Sequence, residues 1–160
     1  MNTHQDTNIK FSPIENKDLE LLMAWRSHPD SYVFFKKQDG PLKWSNHYHF
    51  WKNRKNREDM FILYLEEGKW RKVGHISFTH LDTNLPEIGI LIGELTLHGK
   101  GLGTIVINHA KEWLKERNYS QAQAVINATN KPSKRIFEKN GFIQKTILKN
   151  ENWKQYICKF

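Results

Sequence analysis

The sequence predicts one domain of the α/β (α+β) class, in which two helices come first and a hairpin-rich sheet follows. Apolar residues recur at helical spacing in some stretches and alternate with a period of two in others. The chain has 160 residues, which suits a single domain and is long enough to bury a core without disulfides. No internal repeat and no interior linker divides it. We therefore expect a flexible tail over residues 1–8 and one domain over residues 9–160.

The first part of the chain is predicted to hold one short strand and two helices. The strand is expected over Ile9–Pro13. Asn16 can cap a helix that runs to about Ser27, and Pro29 stops that helix because proline cannot continue its hydrogen bonds. After a loop with an apolar centre, a second helix is predicted over Lys43–Arg54. One face of this helix carries His47, Phe50, Trp51 and Arg54.

From residue 60 onward the apolar residues mostly alternate, which indicates strands. A turn at Glu67-Gly68 joins the first two strands into a hairpin. The third strand is almost wholly apolar toward its end and should lie in the middle of the sheet. The predicted strands are 60–66, 71–80, 85–93, 123–128, 142–149 and 153–160. The predicted helices are one over 101–117 and one that follows its cap Asn130 and ends just before Gly141.

The composition excludes several classes of protein. Hydrophobic residues make up 38% and charged residues 26%, which is typical of a globular rather than a disordered chain. No apolar run approaches the roughly 18–20 residues of a membrane span, and the polar N-terminus lacks the apolar segment of a signal peptide. The single cysteine, Cys158, excludes an intramolecular disulfide and a cysteine-rich metal site. We expect a cytoplasmic protein without a membrane partner.

The net charge of +8 indicates an anionic ligand. The excess of Lys and Arg is concentrated between Lys36 and Lys72. Nucleic acid, an anionic cofactor or a nucleotide-linked substrate would each fit this charge, and charge alone does not choose among them. A solvated basic face without any partner is the alternative interpretation.

A glycine-rich loop, His98–Thr104 (HGKGLGT), follows a predicted strand and opens a predicted helix. Glycines let the backbone turn so tightly that several N–H groups point at one spot, and the helix dipole adds partial positive charge there. Lys100 adds a full charge. The loop is therefore a candidate anion site, although a structural glycine turn would explain it as well. It is neither a P-loop, GxxxxGK[ST], nor the dinucleotide fingerprint GxGxxG.

A second motif lies about 30 residues after this loop, because Asn130 to Phe142 has the form NxxSxxxxEKxGF. Together with EIGILIG at 87–93 and the loop HGKGLG, it resembles the GNAT superfamily of N-acetyltransferases over nearly the whole chain. The resemblance implies the GNAT fold, a central mixed, mostly antiparallel sheet with helices on both faces. Residues 9–160 would then form one acetyltransferase domain. His98 departs mildly from the pattern, since the superfamily usually has Gln or Arg there.

The resemblance implies acetyl transfer from acetyl-CoA to a primary amine, without a metal. The backbone amides of the glycine loop would hold the pyrophosphate. The strand before the loop would splay from its neighbour and bind the pantetheine arm like an added strand, and one of its N–H groups would polarise the thioester carbonyl. The implied cofactor-binding residues are Leu91, Ile92, Gly93, His98, Gly99, Lys100, Gly101, Leu102, Gly103, Thr104, Asn130 and Ser133.

Two catalytic roles need a side chain. An amine is mostly ammonium at neutral pH, so a base must take a proton; Glu87 on the cofactor strand is favoured, with Glu94 or a water chain as alternatives. The departing thiolate also needs a proton. Many relatives use a Tyr whose position is held here by Phe137, so Ser133 of NxxS is the candidate and Tyr156 the second choice. A purely structural role stays open for each of these residues.

The first half of the chain indicates the acceptor. AWRSHPD at 24–30 and WSNHYHFW at 44–51 resemble N-acetyltransferases of amino-sugar pathways, of the pseudaminic acid type. The resemblance implies that Arg26, His28 and His47 approach the acceptor, although His47 could equally be a packing residue of its helix. A small amine carried on an anionic sugar nucleotide would suit the basic first half.

Two alternatives remain open. The NxxS and EKxGF motifs are similar to those of enzymes that acetylate ribosomal-protein N-termini, so a protein N-terminal amine is the second acceptor. A nonenzymatic module that binds CoA or nucleic acid is the alternative of another class. Nucleic acid is not expected, because most aromatic residues fall at helix or strand periods and are more simply core. His47 and His49 lie on different helix faces, so a metal site is not expected either. The sequence does not give the oligomeric state.

Overall fold

The computed structural model describes residues 8–35, 38–147 and 152–160. Within them, seven strands form one sheet, accompanied by five α-helices. The strands are β1 (Ile9–Pro13), β2 (Glu58–Glu66), β3 (Lys69–Thr79), β4 (Glu87–Ile92), β5 (Gln121–Asn127), β6 (Ile143–Ile147) and β7 (Trp153–Lys159). The helices are α1 (Leu19–Arg26), α2 (Pro29–Tyr32), α3 (Trp44–Lys52), α4 (Leu102–Glu116) and α5 (Lys131–Lys139), with 3-10 turns at Asn16–Asp18 and Leu95–Leu97.

The sheet is mixed and mostly antiparallel, which confirms the predicted fold class. Its strand order is β1-β2-β3-β4-β5-β7-β6, so β4 lies in the middle as expected. Every neighbouring pair is antiparallel except β4 and β5, which are parallel. These two strands pair only at Glu87 and Gln123. The centre of the sheet is therefore open between β4 and β5 beyond that point.

Helices cover both faces of the sheet. On one face α4 buries a stripe of side chains, Val106 and Leu114 among them, in the main core. On the other face α1 and α3 pack against β2, where Leu22 and Phe61 are fully buried. Phe61 and its neighbour Ile62 belong to different cores. Because successive strand residues point to opposite faces, β2 is buried on both sides.

The first helices begin and end at other residues than the sequence predicted. A capping box between Glu15 and Asp18 starts the turn before α1, so the predicted cap Asn16 lies inside that turn. Pro29 does follow the end of α1, but it also opens the one-turn helix α2, because proline at the first helical position loses no hydrogen bond. The helix α3 is shorter than predicted at both ends.

The later elements agree with prediction to within two residues at each described end. β4 begins only after Pro86, which has no N–H to give to a neighbouring strand. Residues 148–151, which include the end of the strand predicted over 142–149 and its connection to the last strand, lie outside the described residues, and so does the tail predicted over residues 1–8, apart from Asn8. In the described part of the chain, no helix is long and apolar enough to cross a membrane.

Candidate active site

A cleft of about 190 Å³ opens where β4 and β5 diverge, at the place where the resemblance predicted a splayed cofactor strand. One wall is formed by β3 and β4, and the opposite wall by β5 and the start of α5. Residues of α1 and of the segment after α2 complete the lining. The lining residues include Arg26, Phe35, His75, Ser77, Gly89, Leu91, Asn130, Ser133 and Phe137.

A β-bulge ends β4 beside this cleft. The N–H groups of Gly93 and Glu94 both donate to the carbonyl of Val73, at 2.9 and 3.2 Å, so two residues face one across the strand pair. Gly93 also lies against α1, where a Cβ would come within 2.3 Å of the Trp25 indole. Packing therefore requires glycine at position 93, and the bulge leads the chain from β4 toward the glycine loop.

The glycine loop leaves the N-terminus of α4 open. Gly99 and Gly101 have φ angles of 76° and 79°, in the left-handed region that favours glycine. Gly101 is the N-cap and brings no side chain to bond the first backbone N–H groups. A Cβ at either glycine would meet no described atom within 4 Å. The space before this 15-residue helix is thus free, and its N–H groups and dipole suit a diphosphate.

Two contacts brace the loop and the helix. His98 donates from Nε2 to the carbonyl of Ile92, 2.7 Å away, and thereby ties the loop to the end of β4. Gly103 allows α4 to approach α5, since a Cβ there would lie 2.5 Å from Ile136 Cδ1. Lys100 is exposed in the loop. The structure thus joins the end of β4, the loop and the start of α4 in one continuous stretch, and acetyl-CoA binding by these residues remains a prediction that fits their geometry.

The start of α5 brings three more residues to the cleft. Asn130 caps the helix, and its Oδ1 accepts the N–H of Ser133 at 3.3 Å. Ser133 and Phe137 follow along the helix, and all three line the cleft. Among the described residues the Ser133 hydroxyl has no hydrogen-bond partner, so it is available to a ligand. Phe137, at the position of the superfamily's Tyr, is 2% exposed and has no proton to give.

Three other candidates for proton transfer lie outside the cleft lining. Glu87 is at the closed end, where β4 pairs with β5, so a role as base would require a water chain. Glu94 lies in the bulge after β4. Tyr156 is 1% exposed in the main core, and burial together with the nearby Glu138 raises the pKa of its hydroxyl. Tyr156 is thus a core residue of β7 rather than a proton donor in the cleft.

Of the three residues predicted at the acceptor, Arg26 lines the cleft. Its guanidinium lies over the Phe35 ring, 4.9 Å from the centroid. Burial lowers the pKa of Arg26, but a guanidinium with an ordinary pKa of about 12.5 or above stays charged at neutral pH. In the described ranges no carboxylate forms an ion pair with it.

His28 and His47 bond the backbone instead. His28 is the N-cap of α2, and its Nδ1 accepts the N–H of Asp30 at 3.1 Å. His47 is buried, and its Nε2 donates to the carbonyl of Leu19 at 2.8 Å, which ties α3 to α1. Burial also lowers the pKa of His47. The structure places both histidines outside the cleft lining, so it does not support the predicted contact of either one with the acceptor.

A buried cluster on β2, β3 and the residues just before β2 reaches the cleft and was not predicted from the sequence. Asp59 accepts a hydrogen bond from His75 Nε2 at 2.8 Å. Arg57 donates to both oxygens of this carboxylate, at 2.8 and 2.7 Å, and Arg54 donates to one of them at 3.2 Å. Burial opposes ionisation of Asp59, but the hydrogen bonds from His75 and Arg57 outweigh it and hold the pKa of the carboxylate well below its usual range.

Cross-strand register is the signal that could have revealed this cluster. Asp59 is opposite Ser77 and Phe61 is opposite His75, so Asp59 and His75 are diagonal neighbours on one face of the hairpin. Their spacing along the chain matches no motif. Across residues 8–35, 38–147 and 152–160, no group of three or more His, Cys, Asp or Glu side chains is arranged to hold a metal ion.

A splayed parallel pair in a mixed sheet, with an open helix N-terminus behind a glycine loop, is the arrangement that the resemblance predicted for an acyltransferase that uses a CoA thioester. The family model of the acetyltransferase (GNAT) domain matches residues 8–143. Because this match covers most of the chain, the chain belongs to the GNAT acetyltransferase family. The predicted enzyme class and its cosubstrate, acetyl-CoA, are thereby confirmed.

Two curated relatives match nearly the whole chain. The chain is 46% identical over 148 residues to the uncharacterized protein MJ1062 of Methanocaldococcus jannaschii, a match that covers 92% of this chain and 30% of that protein. The chain thus spans less than a third of that relative's length. It is 24% identical over 152 residues to the acetyltransferase PseH of Campylobacter jejuni, a match that covers 92% of this chain and 89% of that protein.

Two solved structures are similar to this chain over nearly its whole length. A domain from Methanocaldococcus jannaschii is similar with a TM-score of 0.91 at 43% identity, covering 95% of this chain and 98% of that chain. The protein AAC(6')-Ib, in complex with paromomycin and acetyl-CoA, is similar with a TM-score of 0.79 at 14% identity, covering 95% and 93%. The second likeness shows the fold alone.

Proposed function

We propose that this domain transfers the acetyl group of acetyl-CoA to the primary amine of an amino sugar linked to a nucleotide diphosphate. The observation that carries the proposal is Arg26, a charged side chain in the cleft without a carboxylate partner in the described part of the chain. Arg54 and Arg57 are both paired with Asp59, so among the described residues that line the cleft Arg26 is the cation available to bind an anion. A phosphate of the acceptor would supply that anion.

The sequence of the first half supports the same acceptor. Arg26 belongs to AWRSHPD, which resembles the amino-sugar branch of the superfamily. Lys and Arg residues between 36 and 72 add positive charge to this half of the chain, although Lys36 and Lys37 themselves lie outside the described residues. A cationic peptide from a ribosomal protein would be repelled by this charge. The motif at 130–142 keeps such a peptide as the alternative acceptor.

Each part of the cleft has a task in this proposal. Acetyl-CoA supplies an activated thioester. The open N–H groups at the start of α4 would hold its diphosphate, and the free edge of Leu91–Gly93 would pair with the pantetheine arm. The hydroxyl of Ser133 would give a hydrogen bond or a proton to the sulfur as the thiolate departs.

Arg26→Gln tests the acceptor assignment. We expect KM for a UDP-amino sugar to rise about 10-fold or more while kcat changes less, because Arg26 would bind the phosphate rather than the amine or the thioester and so contribute mainly uniform binding. The measurement is the initial rate of thiol release from acetyl-CoA. Arg71→Gln is the matched control, since Arg71 pairs with Glu66 in the hairpin of β2 and β3, outside the cleft. An unchanged KM in the folded Arg26 variant would contradict the assignment, and so would the absence of release with every amine.

A further inference from the structure

We propose that His75 is the catalytic base that takes the proton from the acceptor amine, and that Asp59 is its positioning residue. This inference rests on the proposed acetyl transfer but not on the identity of the acceptor. His75 lines the cleft, whereas Glu87 and Glu94, the bases predicted from the sequence, do not.

His75 lies on β3 beside the open edge of the sheet and lines the cleft. His75 faces Leu91 across the β3–β4 pair, next to the edge of β4 that β5 leaves free. Ser77 and Gly89 line the cleft beside it, and a Cβ at position 89 would come within 2.5 Å of the Ser77 hydroxyl. Arg26 lines the same cleft. The free edge of β4 borders the same cleft, so the amine of any acceptor that approaches a thioester bound along this edge would enter the cavity that His75 lines.

Asp59 decides which atom of the His75 ring can act. Nε2 lies 2.8 Å from a carboxylate oxygen, so it carries the hydrogen of the neutral ring. Nδ1 keeps its lone pair, and among the described residues the ring makes no second hydrogen bond. Arg57 binds both oxygens of Asp59 and fixes the carboxylate in turn. A base oriented by a carboxylate is the arrangement that nucleophile activation requires.

The surroundings of the ring keep it neutral. Three elements bring charged or aromatic groups to the ring. Asp59 comes from β2, and Arg54 and Arg57 come from the residues just before β2. Arg26 comes from α1, and His47 and Trp51 come from α3. Burial lowers the pKa of the His75 imidazole, and the hydrogen bond to Asp59 offsets this only in part. At neutral pH the ring is therefore able to accept a proton rather than already holding one.

Acetyl transfer requires the removal of two protons from the ammonium group, the formation of a C–N bond and the cleavage of the C–S bond, and His75 and Ser133 would handle the protons. His75 Nδ1 takes one proton from the ammonium, and the nitrogen lone pair forms the C–N bond to the acetyl carbon. The C–S bond breaks, and its electron pair leaves on sulfur. A second proton from the amine nitrogen reaches the thiolate through the Ser133 hydroxyl, and His75 releases its own proton to solvent.

Kinetics of His75→Gln test the proposal. Glutamine keeps a donor toward Asp59 but cannot take a proton, so we expect kcat to fall about 100-fold or more while CoA affinity by calorimetry stays within about twofold. The matched control is His109→Gln, a half-buried histidine of α4 that packs against Phe11 outside the cleft and should leave kcat unchanged. A folded His75→Gln with wild-type kcat overturns the base assignment. The proposed function would survive that result if the wild type still acetylates the sugar nucleotide.

Nitrogen-15 NMR of the wild-type protein tests the proposal without turnover. We expect Nε2 of His75 to be protonated and Nδ1 unprotonated at neutral pH. Asp59→Asn should weaken this tautomer preference and lower kcat about 10-fold to 100-fold. Asp59→Glu should recover part of the tautomer preference and part of the lost kcat. Free imidazole should raise the rate of the His75→Ala variant. A ring protonated at Nδ1 at neutral pH overturns the proposal, whichever amine the enzyme accepts.

Discussion

Gly101 carries the cofactor assignment at the scale of single residues. Gly101→Glu should lower CoA affinity at least about 10-fold in calorimetry, because a carboxylate would stand where the diphosphate approaches the α4 N-terminus. The fold should persist, since no described atom lies within 4 Å of a Cβ there and the left-handed φ costs about 1–2 kcal/mol. Gly68→Glu is the matched control, with a φ of 77° and an equally open site in the β2–β3 turn. Equal CoA affinity in the two folded variants would move the cofactor site elsewhere.

Ser133 is the residue on which the leaving-group assignment depends. Ser133→Ala should lower kcat about 10-fold to 100-fold with little change in CoA affinity, because the hydroxyl acts on the thiolate rather than on cofactor binding. Adding Phe137→Tyr should restore part of the loss, since it returns the superfamily's hydroxyl to the same wall of the cleft. Ser45→Ala on the exposed side of α3 is the control. A kcat equal to wild type would leave Ser133 with only its place in the Asn130 cap.

Single residues also show what the sequence could predict. The Asn130 cap and the glycine loop depend on local backbone chemistry, so motifs located them correctly. The histidines depend on what their ring nitrogens reach in the folded chain. His47 bonds a carbonyl 28 positions away, and His75 bonds a carboxylate on the neighbouring strand. Residue type and spacing alone cannot distinguish a histidine that ties two helices together from one that is held by a carboxylate beside the cleft.

At the scale of elements, a bulge in β3 explains why the His75 cluster was not foreseen. From the turn outward, residues of β2 and β3 pair one to one, from Glu66 with Lys69 as far as Leu63 with Lys72. The next residue of β2, Ile62, pairs with Gly74 and not with Val73. Val73 is therefore an extra residue, and the register beyond it moves by one. A shift of one residue changes which face a side chain points to. Without the bulge, His75 would lie on the opposite face from Asp59, so the prediction of the hairpin alone could not bring them together.

The packing of α1 and α3 on the sheet predicts a pH-dependent stability. Burial lowers the pKa of His47 and His75 below the unfolded value of about 6.5, so the unfolded chain binds more protons as pH falls through that region. Stability should be full above about pH 6.5 and decline below it, by at most about 1.4 kcal/mol per pH unit for each histidine. The depressed pKa of Asp59 matters only at lower pH, where its contribution is full above about pH 4 and is lost as the carboxylate protonates.

Urea unfolding at a series of pH values checks this expectation. The free energy of unfolding should be lower at about pH 5.5 than at about pH 7.5 in the wild type. His75→Gln should show a shallower decline because one histidine no longer takes part. A wild-type free energy that is unchanged or higher at the lower pH would mean that these histidines are not held neutral in the folded protein.

For the whole molecule, the order of the motifs along the chain was enough to predict the fold. EIGILIG, HGKGLG and NxxS with EKxGF follow one another as a central strand, a loop with its helix, and the α5 wall, and the structure confirms this order. The acceptor is harder to predict, because Arg26 and Phe35, from α1 and from the segment after α2, approach the cleft only through tertiary packing. The net charge of the chain predicts the sign of the partner's charge but not which molecule the partner is.

Acetylation of a sugar nucleotide in the cleft between β4 and β5 can be tested by a competition experiment in one vessel. The protein, acetyl-CoA, UDP-amino sugars and short peptides with free N-termini are mixed at equal acceptor concentrations, and mass spectrometry follows the products. We predict that the acetylated sugar nucleotide forms first, and that Arg26→Gln removes this preference while Arg71→Gln keeps it. Acetylation of the peptides alone would contradict the account and make the protein N-terminal amine the acceptor.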